Sequence, residues 1–162
     1  MAVVFLIFFS CKAEKQEKEE KQNTAEQVET NEPVAFKPPS LDEKYYRELF
    51  RFQEDIILNP ANRKLKERYI FNAYFADYNT LITFGSARRI NPETKQAIAT
   101  PLIKRAALMD AKRWASYGLL WLNNDFQPDY GKIKGINSGE TREVFSFDKG
   151  DSLVIALANK VR

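Results

Sequence analysis

The sequence predicts an α+β protein: an N-terminal helical hairpin, then a module of one strand, one long helix and antiparallel strands, with the long helix packed on one face of a small sheet. Three observations predict it. Apolar residues recur at helical spacing from Tyr45 to Ala76. The chain turns β-branched and aromatic at Thr80 to Ala87. A second long helical pattern up to Leu122 then gives way to short strand-like runs.

Taken in order, Ser40-Leu-Asp-Glu43 reads as a capping box that opens the first helix. Tyr45, Leu49, Phe52 and Ile56 form its apolar stripe, flanked by Tyr46, Phe50 and Ile57. Asn59-Pro60 ends that helix and lets another begin, since proline is tolerated at the first helical position. Leu65, Tyr69, Ala73 and Ala76 share a face of the second helix, and the two helices should form an antiparallel hairpin. Thr80 to Ala87 is read as a strand and Arg88 to Pro92 as a loop. The long helix starts near Glu93 or at Pro101 with Thr100 as its cap, and Ile103, Ala107, Ala111, Trp114 and Gly118 repeat on one side. Ala106, Ala107, Ala111 and Gly118 should let it approach the sheet closely, with Trp114 and Trp121 filling the edges. Lys132 to Ile136, Arg142 to Phe147 and Ser152 to Ala158 are the remaining strands, the last two joined by the turn Asp148-Lys-Gly-Asp151.

The first eleven residues, Met1 to Cys11, form an apolar run that stops at the only cysteine. Spanning a bilayer takes about 20 apolar residues, so the run suits a secretory signal closed by the small residue Ser10. Phe8 to Cys11 resembles the lipobox of bacterial lipoproteins, whose cysteine receives a diacylglycerol and then an N-acyl chain. Phe8 and Phe9 stand where that motif prefers leucine and a small residue, and the charged n-region is missing, so the start is expected upstream. The alternative is a buried strand with a buried thiol. Against it, Lys12 to Glu32 is so rich in glutamate and lysine, and so poor in apolar residues, that a strand there has nothing to pack on. The expected organisation is a signal peptide (1–10), a lipidated disordered tether (11–39), the hairpin (40–78) and the α+β module (79–162). Lys12 follows the cysteine in place of an aspartate resembling an inner-membrane retention signal, which favours the outer membrane.

Phe84-Gly-Ser-Ala87, Asn91-Pro92, Arg105-Ala-Ala-Leu-Met-Asp-Ala-Lys-Arg113, Gly135 and the closing strands up to Leu153 to Leu157 together resemble the Lpp-twenty family of bacterial outer-membrane lipoproteins. The resemblance covers about residues 81–161, and a similar module occurs in the N-terminal part of the flagellar assembly protein T. It implies an envelope lipoprotein and no enzyme activity. The chain departs from the family at Arg88-Arg89 and in the aromatic hairpin placed before the module.

Composition narrows the chemistry. With 25 basic and 22 acidic residues the net charge is +3, and no basic run is present, so nucleic acid is not an expected partner. The absence of histidine and the single cysteine remove imidazole chemistry, disulfides and thiolate zinc sites; no cofactor and no metal are expected. Asp110 with Arg105 or Arg113 is read as an ordinary helix-surface pairing. Tyr69, Phe71, Tyr74, Phe75 and Tyr78, interleaved with Arg63, Lys64, Lys66 and Arg68, are read as core in preference to a stacking platform. The expected function is a non-enzymatic, lipid-anchored module. It is held to the membrane by acyl chains on Cys11 and meets an envelope protein partner through Arg88 and Arg89, in a loop at the end of the sheet. A TPR-like helical adaptor, binding a peptide or protein through the aromatic helices, is the alternative.

Overall fold

The structure, a computed structural model, describes residues 36–135 and 139–161. The expected signal peptide (1–10), Cys11 and the expected tether as far as Ala35 therefore lie outside the described residues.

The first helix, α1, spans Glu43–Leu58. Its cap is Asp42 and not Ser40: the Asp42 carboxylate accepts the Tyr45 amide at 2.7 Å. Aspartate caps as well as serine, and this start places the Glu43 charge in the first turn, where the helix dipole favours it. Glu43 then pairs with Arg47 one turn on. The buried stripe is rotated relative to the expected one, with Tyr46 and Phe50 buried and Ile57 half exposed. The cause lies across the interface. Tyr46 stacks on Phe145 at 4.8 Å between ring centres, and Phe50 meets Phe84 and Phe147 edge-on.

The second helix, α2, spans Arg63–Ala73 and is capped by Asn62, leaving Pro60 in the turn. It runs antiparallel to α1, as the Tyr45 hydroxyl donating to Asn72 O and the Arg68 guanidinium lying over Phe52 show. It stops before Ala76 because Tyr74–Phe75 leave the helix as a two-residue strand, β1. A 3₁₀ turn at Ala76–Tyr78 and Asn79 in the left-handed conformation (φ 44°) then reverse the chain into β2, Thr80–Arg88. Asparagine tolerates that conformation better than most residues. Ala76 is accordingly exposed.

The long helix, α3, spans Thr100–Asn123; Thr100 is its first residue and Ala99 its cap. Its approach is a loop in which the Asn91 side chain accepts the Glu93 and Thr94 amides. Strands β3, Thr141–Lys149, and β4, Ser152–Lys160, form a hairpin turned at Gly150-Asp151, with Gly150 at φ 59°. Lys132 to Gly135 is not a strand: the Ile133 amide donates to the Tyr117 hydroxyl at 2.7 Å instead of to a neighbouring strand, and Ile136 lies outside the described residues.

The four strands form one antiparallel sheet in the order β1-β2-β4-β3. From β2 the chain passes through α3 to the outer strand β3 and returns to the middle with β4. Alternation divides the side chains. Leu81, Thr83, Gly85, Ile155 and Leu157 lie on the α3 side, where the Gly85 α-carbon sits against the backbone of Ala107 and Ala111. Phe84, Phe145 and Phe147 lie on the other side, against α1. One face is covered by the long helix as expected; the opposite face is covered by the hairpin's first helix, so both contribute to the core of one compact unit, Phe36–Arg162. Ala107, Ala111 and Gly118 are buried on α3, whereas Ala106 faces outward.

Candidate functional site

Strand β1 is too short to cover the edge of β2, and side chains take over where it ends. The Tyr69 hydroxyl donates to Ile82 O at 2.8 Å. Gln53 presents its whole amide to Phe84, donating to the carbonyl at 2.8 Å and accepting from the amide at 3.0 Å, as a neighbouring strand would. Asp110 accepts the Ser86 amide at 3.1 Å. These substitutes satisfy backbone groups that would otherwise be buried unpaired or invite another chain to pair. Asp110 and Arg113 do form the expected surface pair, at 2.5 Å, but Asp110 also holds the strand edge.

The edge ends at Arg88 and Arg89, the two residues singled out as a partner contact, and the structure separates them. Arg89 is a tie: its guanidinium pairs with Asp148, its amide donates to Asp151 O at 2.7 Å, and its carbonyl accepts the Ile98 amide at 2.8 Å. It joins β2, the following loop and the β3–β4 turn. Arg88 pairs with Ser152 of β4 through its backbone, but its side chain is exposed and no ion pair holds its guanidinium among the described residues. Lys149 in the same hairpin is held by Glu54 of α1.

The basic residues of the hairpin divide similarly. Arg63 bonds Glu67 and Asp125, which hold its guanidinium above its ordinary pKa, and Lys64 is exposed. Lys66 is buried, its side chain 1% exposed, with its ammonium 2.5 Å from Asp129, 3.1 Å from Phe126 O and over the Trp121 ring. From sequence alone Lys66 is named only as one of the cations interleaved with the aromatic residues of the hairpin. Its place three residues before Tyr69 and four before Ile70, on the packed side of α2, was the available signal.

Behind Lys66, Trp114, Tyr117, Trp121 and Tyr130 form one aromatic cluster, with Tyr130 stacked on Trp114 at 4.1 Å. Burial pushes the Tyr130 hydroxyl above its usual pKa; nearby Asp110 adds to the rise and Arg113 opposes it. Tyr69 is fully buried and its pKa is raised by burial. Tyr74 and Phe75 also pack against the core, while Phe71 and Tyr78 point outward, at 86% and 47% exposure. The expected core reading thus holds for three of these five aromatics and not for Phe71 or Tyr78.

Two open grooves lie elsewhere. One runs along α1 beside Arg47 and Arg51; the other, about 380 Å³, separates Lys37–Leu41 from Arg142–Phe145. Neither includes Arg88 or Arg89. Among the described residues no group of acidic or thiol side chains is arranged to hold a metal, and no helix is long and apolar enough to cross a membrane. Comparison of the chain with protein-family models, with curated proteins and with solved structures finds no match in any of the three.

Proposed function

We propose that this protein is a lipid-anchored bacterial cell-envelope lipoprotein, of the Lpp-twenty type and in the outer membrane, that presents its α+β unit as a non-enzymatic module for contact with an envelope protein. The observation that carries the reading is the order of the first segments: an apolar run, Ser10, the lone Cys11, and a glutamate- and lysine-rich stretch leading to a compact unit that begins at Phe36. Tethering to a membrane raises the local concentration of partners there, so a small contact surface suffices. Within that surface Arg88 is the contacting residue and Arg89 positions the loop, since of the two it is Arg89 whose guanidinium is already held, by Asp148. Helix continuing through Leu81 would have supported the adaptor alternative; Leu81 lies within β2.

Two measurements test this. Labelled fatty acid should appear on the N-terminal peptide at Cys11, and a Cys11→Ser variant should leave the membrane fraction or accumulate unprocessed. Crosslinking from native membranes, read by mass spectrometry, should lose a partner in Arg88→Ala while the fold is retained. Absence of label on Cys11 overturns the anchor; unchanged crosslinks overturn the contact.

A further inference from the structure

The outward half of α3 combines exposed apolar side chains with cations that no carboxylate on the helix neutralises. Ile103, Ala107, Ala111, Trp114 and Gly118 turn toward the sheet, so helical geometry places Leu102, Arg105, Ala106, Met109, Lys112 and Arg113 on the opposite side. Leu102 is 59% and Met109 47% exposed. The only acidic residue of the helix, Asp110, sits beside this face and is taken up by the Ser86 amide and Arg113. Arg105 and Lys112 therefore remain uncompensated next to two exposed apolar side chains. The outward side of α1 offers no such pattern, because Glu43 and Glu48 alternate there with Lys44, Arg47 and Arg51.

We infer that the outward face of α3 rests on an anionic lipid surface, with Leu102 and Met109 entering the interface and Arg105 and Lys112 meeting lipid phosphates. A helix that lies on a membrane combines this pair of features, apolar side chains flanked by cations. The shape argues for a membrane over a protein helix or peptide. Over its 24 residues α3 presents about 36 Å of convex surface, and neither groove is lined by it, so it suits a plane and offers no cleft. The inference rests on the lipid-anchored reading for bringing a membrane within reach of the face. Few contacts then suffice, because the anchor has already concentrated the unit at the surface.

Vesicle partition of the full, unacylated chain tests the face separately from the anchor, because the apolar residues before Cys11 are common to all variants. Vesicles of phosphatidylcholine alone are compared with vesicles containing phosphatidylglycerol at low salt. Phosphatidylglycerol should increase binding. Arg105→Gln and Lys112→Gln should each reduce that binding about fivefold, the factor corresponding to about 1 kcal/mol per cation near an anionic surface. Arg51→Gln, an equal loss of charge on α1, should leave it within twofold (~0.4 kcal/mol). Leu102→Ser with Met109→Ser should weaken binding to both vesicle types. Equal effects of Arg51→Gln and Arg105→Gln, or indifference to phosphatidylglycerol, overturn the inference. So does a protein crosslinked to this face in native membranes while the Arg105 and Lys112 variants partition like wild type. Loss of acylation at Cys11 would remove the anchor and leave these vesicle ratios unchanged.

Discussion

Replacing Gly85 with alanine is the sharpest test of how α3 sits on the sheet. A Cβ built on Gly85 falls 2.0 Å from Ala107 O, 2.2 Å from Ala111 N and 2.9 Å from the Asp110 carbonyl carbon. Comfortable contacts of this kind lie near 3.5 Å, so helix and strand must part by about 1 Å or more. The atoms struck are helix backbone, which cannot rotate aside. Parting them loosens the Thr83 hydroxyl from Ala111 O, now 2.9 Å, and the Ser86 amide from Asp110. Overpacking costs about 1 to 3 kcal/mol. Two weakened hydrogen bonds add about 1 kcal/mol each. The expected loss is therefore about 3 to 5 kcal/mol, a large share of the roughly 5 to 15 kcal/mol that holds a domain folded. Urea denaturation of Gly85→Ala against wild type measures it, with Gly150→Ala as the control. Gly150 has a positive φ and nothing within 4 Å, so its variant should lose only the conformational cost, about 1 to 2 kcal/mol. A loss below about 1 kcal/mol in Gly85→Ala would mean that α3 does not press on β2 at this point.

Gln53→Leu keeps side-chain bulk but leaves the Phe84 amide and carbonyl without their partner, and should cost about 2 to 4 kcal/mol in the same assay; a neutral result would show that the edge of β2 does not depend on Gln53. Tyr69 is neutral and buried, with its pKa raised above the ordinary value of 10.0. The unfolded chain thus ionises this group first, and its contribution to stability, fully present below pH 10, declines as pH rises beyond that value. Tyr69→Phe should be less stable at neutral pH by about 1 to 3 kcal/mol, because Ile82 O loses its donor, yet show a shallower alkaline decline; equal slopes in denaturation series across that range would refute the assignment.

The two outer edges of the sheet are protected by different means. On the β2 side, buried or half-buried polar side chains from α1, α2 and α3 complete the backbone hydrogen bonds. On the β3 side, Arg142, Glu143, Asp148 and Lys149 crowd the strand with charge, and a bulge between Glu143 and Phe145 breaks its regularity. Both arrangements discourage a further strand from adding to the sheet. The second leaves a groove against Lys37–Leu41, whereas the first ends at the exposed Arg88.

Elements whose cause is local were readable from the residues alone. Thr80 to Ala87 is β2 because β-branched and aromatic residues favour extended backbone, and Asp148 to Asp151 turns because Gly150 accepts a positive φ. The apolar period of α3 placed Ile103, Ala107, Ala111 and Gly118 on the sheet, and the small residues there did mark a close approach. The start of α1 was missed by two residues because Ser40 and Asp42 are both competent caps, and the choice depended on how Tyr46 and Phe50 reach the aromatic side of the sheet.

What tertiary structure alone decided concerns groups whose partners lie far along the chain. Gln53 and Phe84 are 31 residues apart, and Lys66 and Asp129 are 63 apart. Nothing in the local pattern marks Gln53 as a strand substitute, and although helical spacing puts Lys66 on the packed side of α2, it does not name Asp129 as the carboxylate it meets. Arg88 and Arg89 are adjacent and chemically identical in sequence; only the arrival of Asp148 and the Asp151 carbonyl beside Arg89 makes one a tie and leaves the other free. Periodicity and capping act within a few residues and survive in the sequence as pattern. The pairing of polar groups is set by which surfaces the apolar core brings together, and it becomes visible only once that core has formed.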